Sequence, residues 1–314
     1  MRGYLIDYQG NKYRLPVLLE WSCVYGLGTP CDAFEISCVY DPEMAAVLPK
    51  VYRFQGEWNG KTQFYGVVDE YEVTMDENGS LLHISGRGLA ALLMDNESQA
   101  MEYGACTLAD ILKNHVRVCG ISDIKADSLV TVNGFKVESG ASQWSVLCEF
   151  ASFAGGITPY FTKTGTLVLS GAVGQTRTMG VDYGKCDIAF RERRYGVISE
   201  VLIKNKAANR EETVYNTAFR NRGGNCRRVV NVPRKAGYDM MRYTGEYQIR
   251  KSAEDSVLLR MTIPELFVLF PNDVLKLNME AKIGFSGTYK VSEAEVWADA
   301  NGSGTRLEMV PLNR

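Results

Sequence analysis

The chain has little of what most catalytic centres are built from. It holds only two histidines, His83 and His115, and neither stands in a His-x-x-x-His or Cys/His spacing, which disfavours a zinc site. It lacks a Gly-x-Ser-x-Gly elbow, a phosphate loop and a dinucleotide fingerprint, so nucleophilic, nucleotide-binding and hydride-transfer chemistry have no visible seat. No apolar run reaches the ~18 residues that would span a bilayer, and the opening Met1-Arg-Gly-Tyr-Leu-Ile-Asp-Tyr lacks the apolar core of a secretory leader. Neither charge is in large excess: 35 basic residues face 37 acidic ones, which argues against a globally basic nucleic-acid coat. Eight cysteines are spread over the chain without a Cys-x-x-Cys pair, and free, mostly buried thiols in a reducing cytoplasm are expected.

What is present is strand and turn chemistry. Asn-Gly pairs, which tolerate positive φ at both positions, occur at Asn59-Gly60, Asn78-Gly79, Asn133-Gly134 and Asn301-Gly302 and predict antiparallel hairpins. Tyr4–Tyr8 and Lys12–Leu15 read as a further hairpin, and Phe64–Ile84 as two long strands about a tight loop. Helical spacing is concentrated in the middle. Thr107 caps a run with Leu108, Ile111, Leu112, His115 and Val116 on one face, ending at Gly120; Ser142 precedes Trp144, Leu147, Cys148 and Ala151 and a Gly155-Gly156 stop. His115 on that face reads as a core or boundary residue. A short helix is expected over Leu89–Met94, and another from Ser252, with Asp255 three residues on, to a stop before Pro264.

The most informative feature is internal. Residues 70–80 read Glu-Tyr-Glu-Val-Thr-Met-Asp-Glu-Asn-Gly-Ser and residues 293–303 read Glu-Ala-Glu-Val-Trp-Ala-Asp-Ala-Asn-Gly-Ser, identical at seven of eleven positions. Each copy lies downstream of a glycine able to bend a strand (Gly66, Gly287) and of a proline before a candidate strand (Pro49, Pro271). Turn chemistry explains Asp-x-Asn-Gly but not the shared Glu-x-Glu-Val, which favours a duplicated β-domain.

Other motifs read as structural. Ser85-Gly-Arg-Gly-Leu-Ala-Ala-Leu-Leu-Met-Asp95 runs from strand through glycines to helix, yet lacks the Lys-Ser/Thr of a phosphate loop. Glu70 and Glu72 alternate with Tyr71 and Val73 as on a half-solvated strand. Between Lys204 and Lys235, nine basic residues face Glu211 and Glu212, and Arg222-Gly-Gly-Asn225 predicts a mobile hairpin or loop. Such a basic arm suits protein contacts, or a phosphate backbone in the competing view. Three Asn-x-Ser sites (Asn78, Asn96, Asn301) match the glycosylation pattern without a secretory route.

The order of these features resembles the baseplate hub proteins of phage tails, the late control protein D family, related to the upper part of type VI secretion spikes. The matching pieces are Phe64–Val73, Ile84–Asp95, Thr107–Leu112, Val137–Val146, Gly165–Leu169, Gly287–Val291 and Gly302–Pro311, so the resemblance runs over essentially the whole chain through short motifs. It implies a mainly β chain with an α+β insertion: two related antiparallel, tail-tube-like β-barrel domains flanking a small α/β module. The expected divisions are 1–100, 101–185 and 186–314, with a basic arm at about 206–236. The implied function is a structural hub, three copies forming a pseudo-hexameric ring that adapts a hexameric tail tube to a trimeric spike, assembled in the bacterial cytoplasm and residing at the virion tail tip. The implied partners are the chain itself, a tube protein, a separate spike protein (nothing after Pro311 reads as a spike β-helix) and other baseplate components. No catalytic residue, metal, cofactor or membrane insertion is expected. The candidate contact residues are Arg220, Arg222, Arg227, Arg228, Arg234 and Lys235. A tail-associated cell-wall hydrolase and a nucleic-acid-binding assembly factor are the competing readings.

Overall fold

The computed structural model describes residues 1–27, 31–77, 79–180, 186–206, 208–232, 238–254, 256–284 and 286–312. The chain divides into two units: Met1–Gln175 with Thr262–Asp273 and Ser292–Leu307, and Thr176–Met261 with Val274–Val291 and Glu308–Arg314. It is mainly β, with antiparallel ladders and an α+β insertion.

The first unit opens with strands β1 (Arg2–Asp7), β2 (Lys12–Arg14), β3 (Leu18–Gly26), β4 (Ala33–Val39), β5 (Val51–Trp58), β6 (Lys61–Asp76) and β7 (Gly79–Gly88). Their order in the sheet is β3-β4-β7-β6-β5-β1-β2. Alternation decides the buried face: Trp21, Cys23 and Tyr25 of β3, Phe34, Ile36 and Cys38 of β4, Phe54, Phe64, Leu82 and Ile84 all point inward. Phe34 stacks on Phe54 with centroids 4.2 Å apart and lies 5.2 Å from Phe64, and each such ring contributes about 2 kcal/mol by leaving water. The hairpin predicted at Asn59-Gly60 forms, with φ of 49° and 72° at the two residues. At Gly66 and Gly86 the backbones cross so closely that a Cβ would lie 2.2 Å from Arg87 O and 2.0 Å from Val67 O. These glycines are required by strand contact, and the glycines after Ser85 serve packing.

The α/β module follows within the same unit: α1 (Ala91–Met94), β8 (Met101–Cys106), α2 (Leu108–Ile111), β9 (Ile124–Ala126), β10 (Val132–Val137), α3 (Gln143–Gly155), β11 (Tyr160–Phe161) and β12 (Leu167–Leu169). Its core gathers Ile111, Val116, Phe135, Trp144, Leu147, Phe150 and Leu167. The capping box of Thr107 and Asp110 starts α2. Beyond Ile111 the winding loosens to a π turn and then a 3-10 turn, closed by Gly120 at φ 81°. His115 is buried there: its Nδ1–H donates to Gln143 Oε1 (2.7 Å) and its Nε2 accepts from the Tyr103 hydroxyl (2.9 Å), so this histidine is a satisfied core residue. Asn133-Gly134, in contrast to its predicted role, makes no hairpin turn and lies inside β10.

The second unit contains β13 (Thr176–Gly180), β14 (Asp187–Glu192), β15 (Glu200–Asn205), β16 (Arg210–Tyr215), α4 (Thr217–Asn221), β17 (Arg227–Asn231), α5 (Tyr238–Glu254), β18 (Val257–Ile263), β19 (Val274–Asn278), α6 (Glu280–Ile283), β20 (Ser286–Asp299) and β21 (Gly302–Pro311); β18, β20 and β21 each continue into residues of the first unit. Here the order is β14-β18-β21-β20-β19-β13. In chain order β14, β18, β19, β20 and β21 therefore repeat β3, β4, β5, β6 and β7, with the same neighbours. The sixth strands differ, since β1 pairs antiparallel with β5 and β13 pairs parallel with β19. No ladder closes either order into a ring among the described residues.

Two expectations are corrected. Among the described residues the basic segment is mostly sheet rather than loop: β16-β15-β17 form a small sheet inserted between β14 and β18, packed through Ile198, Val201, Ile203 and Met241. Ser252 does not start a helix; it lies near the end of α5, where its hydroxyl accepts from Ile198 N–H and donates to Ile249 O. The following Val257–Ile263 is strand, because its residues are buried almost continuously. Asp255 lies outside the described residues. Helix α5 carries Gly245 in mid-helix because a Cβ there would lie 2.6 Å from Val214 Cγ2.

Candidate assembly surfaces

The outward face of the first unit's sheet is acidic. Ladder registers put Glu72, His83, Ser37 and Glu20 in one cross-strand row, and Glu70, Ser85, Glu35, Ser22 and Trp297 in the next. These residues, with Glu295, Asp299 and Arg306, line a shallow depression of about 600 Å³. Serine between Glu70 and Glu35 holds the carboxylates two strand spacings apart, roughly 10 Å, which limits like-charge repulsion across the sheet. Arg306 pairs with Glu295 and lies 5.2 Å over the Trp297 ring. Ser37 Oγ sits 2.6 Å from His83 Nδ1 with Glu72 opposite the imidazole. This is a serine–histidine–carboxylate row, but β4 and β7 are each flanked by strands on both sides, so their N–H groups are spent in ladders and offer no oxyanion hole. Among the described residues no three His, Cys, Asp or Glu side chains gather as metal ligands.

The hairpin β6–β7 is held at its base by Arg87. Its guanidinium forks to Asp69 (2.7 and 2.9 Å) and to Asp95 (2.9 and 2.7 Å), and this pairing holds the Asp95 carboxyl below the usual range. β5 accompanies β6 only as far as Val67. From Glu70 to Asp76, β6 has β7 on one side and, among the described residues, no strand on the other.

In the second unit the basic side chains named by the sequence spread over the inserted sheet. Arg220, near the end of α4, lies 4.4 Å over Tyr215, and Arg222 pairs with Glu192. On β17, Arg227 pairs with Glu200 and Arg228 reaches Gln248 Oε1 at 3.3 Å. Arg222 shares a groove with Arg194 and Tyr195, residues the sequence did not single out. Such exposed pairs contribute little to stability, typically under ~1 kcal/mol. Arg234 and Lys235 lie outside the described residues. All eight cysteines are free, and burial pushes the Cys23 thiol up to about 12 and Cys38 up to about 11.

No protein-family model and no curated protein matches the sequence. Solved structures do match the fold. A tail protein from Neisseria meningitidis aligns over 99% of this chain and 96% of its own, with a TM-score of 0.77 at 15% identity. A prophage tail protein from Shewanella oneidensis aligns over 99% and 98%, with a TM-score of 0.74 at 17% identity. An E. coli type VI secretion component described as similar to T4 bacteriophage tail proteins gp27 and gp5 aligns over 95% and 74%, with a TM-score of 0.57 at 13% identity. The fold is thus that of these phage tail proteins, shared with a type VI secretion component.

Proposed function

We propose that this chain is a structural, non-enzymatic hub of a phage tail baseplate or related injection particle. Three copies form a ring of six β-domains that joins a hexameric tube to a trimeric spike at the tail tip. The observation that carries this reading is the five-strand order written twice in one chain, since two similar domains per chain let three chains present six similar edges in a closed cycle. The similarity to tail and type VI proteins supports the same role. The division expected from the sequence, a first domain to about residue 100, a module to about 185 and a second domain beyond, is kept as part of this proposal. The basic residues on and beside the inserted sheet, Arg220, Arg222, Arg227 and Arg228, are its contact residues toward acidic neighbours in the baseplate.

Light scattering on the purified chain tests the reading. The expected species is about 105 kDa, three times 35.0 kDa. A monomer at every concentration up to ~100 µM would overturn the ring; an Arg220→Glu/Arg228→Glu variant is expected to keep the trimer and lose binding of baseplate partners.

A further inference from the structure

We propose that Arg53 of β5, stacked on Tyr52, is a carboxylate-binding site that this chain leaves unfilled. Adjacent residues of a regular strand point to opposite faces. Tyr52 and Arg53 nevertheless come together because the ladder is bulged there: Arg53 lies opposite Ile6 and Val51 opposite Asp7, so Tyr52 is the extra residue. Arg53 Cζ sits 4.2 Å from the centre of the Tyr52 ring. Arg53 is only 8% exposed, and its buried Nη1 has no hydrogen-bond partner. A guanidinium taken out of water without an anion costs free energy, and a cation–π contact offsets only part of that cost. A ligand that completes the pairing removes it.

The same sheet shows the pairing that Arg53 lacks. Ile6, Arg53, Val67 and Arg87 form one cross-strand row, and Arg87 forks to both Asp69 and Asp95. The acidic residues on and beside β5 are already engaged. Asp7, opposite Val51, accepts from the Gln9 and Asn11 N–H groups, the Asn11 amide and the Tyr13 hydroxyl. Glu57 accepts from Lys12 Nζ at 2.9 Å and from Gln55 Nε2 at 3.1 Å. The missing anion therefore comes from outside the chain. Ile6 and Val67, which flank Arg53 in the row, are apolar and add no second cation. One positive charge on a planar fork of donors matches a carboxylate, with its single charge and two coplanar oxygens, whereas a phosphate monoester carries about 1.5 to 2 negative charges. Tyr52 is 41% exposed, so the guanidinium lies directly beneath a surface ring, in reach of an acidic side chain of a neighbouring molecule or of a free carboxylate.

Magnetic resonance on the full chain with isotope-labelled arginine tests the site, with acetate as the probe and chloride and inorganic phosphate at equal ionic strength beside it. Acetate is expected to move the Arg53 Nε–H resonance, identified by its loss in Arg53→Met, along a saturating curve, and to raise the unfolding midpoint of the wild type but not of Arg53→Met. Arg53→Lys, which keeps the charge but not the fork, is expected to bind acetate about tenfold more weakly. A resonance that acetate moves no more than chloride does, or phosphate binding at least as tight as acetate, overturns the carboxylate site. In the free chain, Arg53→Met replaces an unpaired buried charge with an apolar side chain and is expected to leave the denaturant midpoint unchanged or raised. A lowered midpoint would mean that the fold itself satisfies Arg53, and overturns the site. The source of the carboxylate is read on self-association: an Arg53 resonance already shifted in the assembled wild type and no longer moved by acetate assigns it to a second copy, and one that acetate still moves assigns it to another molecule. The acetate result holds whether or not the chain forms a ring, so failure of this site and failure of the hub reading are separate outcomes.

Discussion

Val73 and Val296 hold the same place in the repeated sequence, on the fourth strand of each five-strand order, yet Val73 is 43% exposed and Val296 is 0% exposed. The difference is not in the sequences of the hairpins, which share Glu-x-Glu-Val and Asn-Gly. It lies in what borders them. β20 carries β3 along its outer edge, whereas β6 at the equivalent positions carries no strand among the described residues. Duplication has therefore preserved the hairpin and its acidic face while one copy satisfies its edge within the chain. A repeat whose copies have unequal neighbours is what a chain needs if it is to be both a pair of domains and a segment of a larger ring.

The largest expected effect separates the copies by their glycines. Gly66 and Gly86 permit a backbone crossing in the first copy, while the residues at the same offset from the repeated sequence in the second, Tyr289 and Met309, are large and buried. Gly86→Val would place Cβ 2.0 Å from Val67 O, where backbone must move. The expected loss is about 4 kcal/mol or more, or failure to fold. A denaturant midpoint close to wild type would mean that the two sheets are built alike after all.

The connection between the first two strands gives the next effect. In the second copy it holds the β15–β17 insertion; in the first it is a short link containing Asp32, whose carboxylate accepts the Gly26 N–H at 2.9 Å. Burial pushes the Asp32 carboxyl up to about 7, against an ordinary value of 3.8. The folded state thus holds this proton more tightly than the unfolded chain. Its contribution is fully present below about pH 4 and is lost as pH rises through 7, a fall of at most about 4 kcal/mol. Asp32→Asn is expected to flatten unfolding midpoints between pH 4 and 8. A wild-type chain with no loss over that interval would remove Asp32 from the account.

Local signals carried far in this sequence. The Thr107 and Ser142 caps, the Gly120 and Gly156 stops and the Asn59-Gly60 turn each act through contacts within a few residues, and each forms as read. The repeat at 70–80 and 293–303 correctly pointed to duplicated topology. What escaped depends on distant contact. Gly245 reads as a helix breaker unless Val214 and Ile203 are known to lie against it, and Ser252 reads as a helix start unless Ile198 is known to donate to it. The acidic face was invisible for the same reason: Glu20, Glu35 and Glu295 converge with Glu70 only through ladder registers. The basic residues were legible as a cluster, but their folding onto a sheet under α5 required knowing which valines and isoleucines pair.

The smallest effect compares the two valines directly. Val296→Ala removes two methyl groups from a filled site and is expected to cost about 1.5 kcal/mol. Val73→Ala removes the same groups from a half-solvated strand and is expected to cost under ~0.5 kcal/mol in the isolated chain. Both numbers come from unfolding at protein concentrations low enough to suppress association. Equal costs in the dilute chain would mean that β6 is covered within the molecule, and the asymmetry between the two hairpins would vanish with that result.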